Sequence, residues 1–289
     1  MSVGQFSVII PTRHRNDELA KCLDCLAPGM QELGSEAYEV IVTDDGSNTT
    51  AEALIREQYP WARWTPGPRR GPAANRNNGA AQAAGEWLVF TDDDCLPSAG
   101  WLKAYSDARE QASVLEGLTR TDRARRSYAE ESPINLTGGY LWSCNFSIKK
   151  KLFHELAGFD ENFPAPAMED CDFRENLREA GIPFCFIKSA EVVHPWRQAK
   201  GWDFWESHLQ AVIYYYRKHP HLGPKHPTTS YFLNSLRFFK NNVFVNYRSV
   251  GTTGIFHALI RFAWDMWTSI RFRYLLAHYA AVEIRMRSL

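Results

Sequence analysis

The stretch Trp87-Leu88-Val89-Phe90-Thr91-Asp92-Asp93-Asp94-Cys95 is an apolar run that ends in three adjacent carboxylates. Bounded by Gly85 on one side and by like charges on the other, it reads as a buried parallel strand whose carboxyl end opens into a polar crevice. Three neighbouring acids raise one another's pKa unless something cationic compensates them. Hard divalent ions held by carboxylates and substrate phosphates meet that need, so a metal and phosphate site is expected here in preference to a solvated acidic turn.

Upstream, Phe6-Ser7-Val8-Ile9-Ile10-Pro11 reads as a short strand closed by proline. After Thr12-Arg13-His14-Arg15, Asn16 can cap a helix in which Leu19, Cys22, Leu23 and Leu26 recur at helical spacing. Tyr38-Glu39-Val40-Ile41-Val42 is a second strand, ending in Thr43-Asp44-Asp45-Gly46-Ser47. Residues 50–58 read as helix, 65–72 as a loop rich in proline and glycine, and 73–84 as a further helix. The β-α-β-α-β order predicts a parallel sheet with covering helices. Ligands bind such sheets outside the carboxyl ends of the strands, where Pro11-Thr12, Asp44-Asp45 and the Asp triplet should converge. No glycine-rich turn follows the first strand, which sets aside nicotinamide and flavin enzymes; a nucleotidyltransferase would want a glycine- and arginine-rich loop there, also missing.

Individual residues then acquire candidate roles. Asp45 can accept a hydrogen bond from the N3 proton of a pyrimidine base, or serve the turn before Gly46. Arg76-Asn77-Asn78-Gly79 lies inside an alanine-rich helix that asparagine and glycine disfavour, a conflict better explained by a phosphate or ribose contact than by folding. Arg15 offers a second guanidinium fork for phosphate oxygens. Residues 119–137, with four arginines before Glu130 and Glu131, read as a flap or acceptor-side loop. Met168-Glu169-Asp170-Cys171-Asp172-Phe173 opens a helix whose first-turn acids complement its dipole.

Taken in order, Pro11-Thr12, Asp44-Asp45-Gly46-Ser47, Arg76-Asn77-x-Gly79, the Asp-x-Asp of Asp92 and Asp94, Gly158-Phe159-Asp160-Glu161 and Glu169-Asp170 resemble the motifs of family 2 glycosyltransferases over about residues 6–196. The resemblance implies an α/β GT-A fold, a nucleotide-sugar donor, a divalent Mn²⁺ or Mg²⁺ and inversion at the anomeric carbon. It implies that Asp45 holds the base, that Pro11 and Thr12 line the nucleoside pocket, and that Arg76 and Asp92 face ribose and diphosphate; Arg15 and Asp93, beside them, are counted with the donor site. Asp94 would bind the metal with Asp92. His194, in Val192-Val193-His194-Pro195-Trp196, either joins them or is a strand-end histidine bonded to backbone. Asp170 is the expected base for the acceptor hydroxyl, with Glu169 in reserve. Met168 stands where the family often has glycine and Asn176 where it often has arginine, which bears on the acceptor rather than on the chemistry.

Charge divides the chain. From Arg197 onward there are 13 lysines and arginines against 4 acids, so this part carries +9 and the rest −9 of a formal net charge of zero. The expected organisation is a catalytic domain over 1–200, with nucleotide-sugar binding in 1–96 and the acceptor half in 97–200, followed by a basic, aromatic helical extension over 201–289. In that extension positions 255, 259, 262, 263, 266 and 270 form an apolar face, with 257, 261, 265 and 268 opposite. Either that face packs on the catalytic domain, or the extension lies peripherally on an anionic membrane. No nucleic-acid motif accompanies it. The six cysteines lack the spacing of a disulfide scaffold, and Cys22-x-x-Cys25 has no second pair to complete a zinc site. With neither a leader nor a spanning run in the sequence, a cytoplasmic protein acting at the inner membrane face is expected, transferring a UDP- or dTDP-linked sugar to a saccharide or lipid-linked acceptor. The rival class is a non-catalytic nucleotide-sugar binder within a membrane-associated assembly.

Overall fold

The computed structural model describes residues 5–222 and 227–287. In chain order its elements are β1 (Phe6–Thr12), α1 (Asn16–Leu26), β2 (Tyr38–Asp44), α2 (Glu52–Gln58), β3 (Arg63–Pro66), α3 (Pro72–Gln82), β4 (Trp87–Thr91), β5 (Leu96–Pro97), α4 (Trp101–Ala108) and β6 (Val114–Arg120). There follow β7 (Glu130–Glu131), β8 (Asn145–Lys149), α5 (Lys150–Glu155), α6 (Glu169–Glu179), β9 (Cys185–Val193), β10 (Arg197–Gln198), α7 (Trp202–Lys218), α8 (Pro227–Phe239), α9 (Tyr247–Val250) and α10 (Ile255–Arg287). Two compact units are formed: Met1–Asp122 with Pro133–Pro195, and Arg123–Ser132 with Trp196–Leu289.

The first unit is built on an eight-stranded sheet in the order β3-β2-β1-β4-β8-β6-β9-β5. Strands β3, β2, β1 and β4 are parallel, whereas β8 runs antiparallel to both β4 and β6. The strand β3 falls on the edge of the expected proline-glycine loop, where Arg63-Trp64-Thr65-Pro66 gives no apolar alternation to betray it. Alternate residues of β1 and β4 feed opposite cores. Phe6, Val8, Ile10, Trp87 and Val89 pack with α1 and α4 on one face; Ile9, Leu88 and Phe90 pack with Phe146, Phe153, Phe159 and Phe173 on the other. Burial on both faces is why these strands read as continuous apolar runs. Cys22 and Cys25 are free thiols on α1, as their helical spacing suggested.

In the second unit β7 pairs antiparallel with β10, and Arg125 is bonded to the carbonyls of Ser127, Tyr128 and Glu130 and to Asn242 Oδ1. Residues 123–132, read from the sequence as a flap of the catalytic half, therefore belong with the C-terminal helices. Of the two facings open for α10, the structure has the polar side turned inward. Asp265, Thr268 and Ser269 are buried, Arg261 is partly so, and Leu259, Ala263 and Ile270 are exposed. Trp264 and Phe272 carry that side inward against Trp205, Leu209 and Ile213 of α7, and Arg261, paired with Asp265 at 3.1 Å, lies 5.0 Å from the ring centroids of both Trp205 and Trp264. A guanidinium with a carboxylate and two aromatic faces is compensated for burial.

Candidate active site

The carboxyl ends of β1, β2 and β4 meet, and each end brings its polar residues with it. Pro11 and Thr12 are buried in the last turn of β1, where Thr12 Oγ1 donates to Asp93 Oδ2 at 2.8 Å. The two acids at the end of β2 divide the work left open by the sequence. Asp44 serves the turn, accepting from the N–H groups of Gly46 (2.7 Å) and Ala51 (2.6 Å) and from Trp64 Nε1 (3.2 Å). Asp45 is released from it and accepts from the N–H groups of Arg69 (2.8 Å) and Gly71 (3.1 Å), at the mouth of α3. Two accepted bonds leave an ionised carboxylate further acceptor capacity.

The three acids after β4 part company. Asp92 pairs with Arg76 Nη2 at 2.6 Å, Asp93 with Arg15 Nη1 at 2.9 Å, and Asp94 with Arg15 Nη2 at 2.8 Å. His194, next after β9, places Nε2 3.2 Å from Asp94 Oδ1 while Nδ1 lies 3.1 Å from the carbonyl of Pro195. The chain thus supplies its own cations to the triplet, so carboxylate repulsion alone does not demand a metal. Burial pushes Asp93 up to about 7, against the pull of Arg15. Burial also opposes ionisation of Asp94, but His194 and Arg15 outweigh it and hold that carboxyl well below its usual range. The His194 ring is raised to about 9, burial being overcome by its bond to Asp94.

Donor atoms of Asp94, Cys95 and His194 lie within 4.8 Å of one another, close enough to share one ion. Burial raises the Cys95 thiol far above its ordinary value, and sulfur suits softer ions than Mg²⁺ or Mn²⁺. A carboxylate and an imidazole remain, a set that suits a divalent ion completed by phosphate oxygens once the ring gives up its proton. Asp92 faces Arg76 instead.

Arg76 is the hinge between the two halves of the crevice. Its side chain is 5 % exposed, and Nη1 reaches Glu169 Oε1 at 3.2 Å while Nη2 holds Asp92. Glu169 and Asp170 open α6, so one arginine brings the Asp triplet and the second acidic pair together. Burial raises the pKa of both α6 acids; for Glu169 the Asp170 charge adds and Arg76 opposes, and for Asp170 the Cys171 N–H at 2.7 Å and Arg76 oppose. Met168, just before them, has φ of 73°, the left-handed region that a glycine adopts freely.

Several polar residues prove to serve the fold. Asn77 bonds the N–H (2.9 Å) and carbonyl (2.8 Å) of Phe159 and Glu161 Oε1 (2.9 Å), and Asn78 Nδ2 donates to Thr43 Oγ1 and Pro66 O. A Cβ on Gly79 would come 2.6 Å from Ile9 Cγ2, so the glycine lets α3 lie against β1. The helix-disfavouring cluster is thus explained by packing at 77–79, and Arg76 alone faces the acids. Sequence reasoning missed Glu116, a fully buried carboxylate that accepts from the N–H groups of Gly139 (2.6 Å), Tyr140 (2.8 Å) and Leu141 and fixes that turn. Asn145 was missed as well; it joins Trp101 and Tyr105 to the carbonyls of Leu118 and Ala190. Each lies inside a strand, and only its long-range partners reveal its use.

This sheet, with its triplet after the fourth strand and an acidic pair opening a later helix, is the GT-A architecture, and residues 7–154 match the family model of glycosyl transferase family 2. The chain belongs to that family. It is 26 % identical over 217 residues to the pre-mycofactocin glycosyltransferase of Mycobacterium tuberculosis, a match covering 68 % of this chain and 44 % of the relative. Over 95 residues it is 33 % identical to the GalNAc(5)-diNAcBac-PP-undecaprenol beta-1,3-glucosyltransferase of Campylobacter jejuni, covering 31 % and 29 %. The chain thus spans less than half the length of either relative. Among solved structures it resembles S. aureus TarS 1–349 in complex with UDP-GlcNAc (TM-score 0.55, 22 % identity, 72 % of this chain and 66 % of that one). It also resembles GalNAc-T7 with UDP, GalNAc and Mn²⁺ (TM-score 0.56, 16 % identity, 76 % and 51 %). At these identities the solved structures establish the shared fold.

Proposed function

We propose that the protein is a metal-dependent, inverting glycosyltransferase that moves a sugar from a UDP- or dTDP-linked donor to a hydroxyl of a saccharide or lipid-linked saccharide, in the synthesis of a surface polysaccharide. The observation that carries this reading is the bridge through Arg76, which sets the acids opening α6 beside the crevice at the ends of β1, β2 and β4. Structures of this fold hold UDP-GlcNAc in one case and UDP with GalNAc and Mn²⁺ in another, and one relative is named for an undecaprenyl-diphosphate-linked substrate.

In this reading Asp45, Pro11 and Thr12 hold the nucleoside. Arg15, Arg76, Asp92 and Asp93 shape the ribose and diphosphate site, where Arg15 and Arg76, paired with Asp93 and Asp92, would meet the phosphates. Asp94 and His194 would hold Mn²⁺ or Mg²⁺, which when bound offsets charge developing on the leaving diphosphate. Asp170 takes the proton of the attacking hydroxyl on the face of the sugar opposite the departing diphosphate. Burial favours its proton-accepting role, since a carboxylate with a raised pKa is a stronger base. The Cys171 N–H fixes one Asp170 oxygen, and the other takes the proton. Glu169, tied to Arg76, orients the pair. The reaction is placed on the cytoplasmic side of the membrane, with the second unit in peripheral contact with anionic lipid.

The test is sugar transfer from UDP- and dTDP-sugars by the purified protein and by Asp170→Asn. The reading expects transfer to fall by at least about 100-fold in the variant, the ordinary worth of a general base, with nucleotide affinity kept. Transfer surviving in Asp170→Asn at the wild-type rate would remove Asp170 from the mechanism.

A further inference from the structure

The second unit carries an apolar surface where a helix of this composition would ordinarily turn charge to water. On α10 the exposed positions Phe256, Ile260, Ala263, Trp267, Ile270 and Tyr274 follow one another at intervals of four, three, four, three and four residues. That spacing keeps them on one side of the helix along about 27 Å. Phe256 is 77 % exposed and Ile270 67 %, while Asp265 and Thr268 on the other side are at 5 % and 0 %. The polar side is occupied within the unit by the Arg261–Asp265 pair against Trp205 and Trp264, and at the stripe's flank Arg271, over the Trp267 ring, bonds Glu206 at 2.8 Å. Turning the helix over would therefore take Arg261 away from Trp205 and expose Trp264 and Phe272. The outward stripe is fixed by what holds the inward one.

Two kinds of occupant suit a long apolar stripe: a second copy of this chain, or a lipid surface. Charge decides between them. Between Ser207 and Trp264 the sequence contains no aspartate or glutamate, and on the same unit Arg237, Lys240 and Arg248 are exposed among the exposed apolar residues Phe238, Phe244 and Val245. Like-charged surfaces repel when two copies meet, whereas an anionic leaflet attracts them. Aromatic residues such as Trp267 and Tyr274 favour the headgroup boundary of a bilayer. Among the described residues no helix is long and apolar enough to cross a membrane.

We infer that α10 lies on an anionic membrane with the stripe from Phe256 to Tyr274 in the headgroup and acyl boundary, and that Arg237, Lys240 and Arg248 pair with lipid phosphates. This deepens the peripheral contact proposed above by naming its surface, and it rests on that reading only in placing the acceptor at a membrane.

The experiment is co-sedimentation of the purified chain with vesicles of phosphatidylglycerol and phosphatidylcholine, and of phosphatidylcholine alone, with calorimetric UDP binding measured on every variant. Binding is expected to the anionic vesicles and to weaken with salt. Replacing Arg237, Lys240 and Arg248 by glutamine should weaken it about five-fold per charge, and Phe256→Asp with Ile270→Asp by at least ten-fold, with UDP affinity and helix content unchanged. Equal binding to both vesicle types, no binding to either, or stripe variants that bind as wild type would overturn the inference. So would light scattering that shows a wild-type dimer and a monomer on Phe256→Asp with Ile270→Asp, which assigns the stripe to a second copy. Because UDP binding is read separately, loss of the membrane contact leaves the donor-site reading standing or falling by itself.

Discussion

Arg76→Met should destabilise the first unit by about 3 kcal/mol, at the lower end of what removing one partner from a buried ion pair costs. The structure sets the figure. Arg76 neutralises two carboxylates, Glu169 at 3.2 Å with 9 % of its side chain exposed and Asp92 at 2.6 Å with 25 % exposed. Asp92 can recover water when the guanidinium goes; Glu169 cannot, so most of the loss arises there. Methionine keeps much of the stem's packing beside Phe159, whose ring centroid lies 5.8 Å from the guanidinium carbon, which isolates the charge. Adding Glu169→Gln to Arg76→Met removes the stranded carboxylate and should return at least half of the lost stability. Urea unfolding of wild type, both single variants and the double variant gives the coupling directly. A single-variant loss below about 1 kcal/mol, or additive effects in the double variant, would refute the view that Arg76 links the two acidic groups.

Other consequences concern packing, backbone strain and pH. Gly79→Ala drives a methyl against Ile9 and should cost about 1–3 kcal/mol in urea unfolding, an overpacking penalty that outweighs alanine's better helix propensity. Met168→Gly relieves the left-handed backbone before α6 and should leave thermal stability equal or higher, whereas Met168→Val should lower it by more than about 1 kcal/mol. In the second unit burial, with Arg261 and Lys200 adding, lowers His208 to about 4 from an ordinary 6.5. The folded form then binds fewer protons than the unfolded one. Stability should therefore be intact above pH 6.5 and decline toward pH 4, by about 3 kcal/mol at most, and His208→Asn should flatten that decline in denaturation curves taken across the range.

What could be read from sequence follows from how local each cause is. β1, β2 and β4 are legible because strands buried on both faces must be apolar throughout, and the polar residues that end them stand out by contrast. Edge strand β3 needs no such run and passed for loop. The roles of Asn77, Asn78 and Gly79 were misread because a residue unsuited to a helix signals that something else holds it without saying whether that is a ligand or a distant loop. Glu116 and Asn145 are visible only through partners 19 or more residues away. Periodicity grouped the polar positions of α10 correctly and left open which way its apolar side turns, because the deciding contact, Arg261 against Trp205 of α7, lies on a distant element.

The crevice is expected to bind a nucleoside diphosphate through a metal held at Asp94 and His194. Calorimetric titration of UDP and dTDP into the purified chain, with Mn²⁺ and after chelation, measures that claim. Binding of at least one nucleotide that requires Mn²⁺ and is lost in Asp94→Ala, with the variant still folded, is the predicted result. Equal affinity with and without metal, or full affinity in Asp94→Ala, would contradict it.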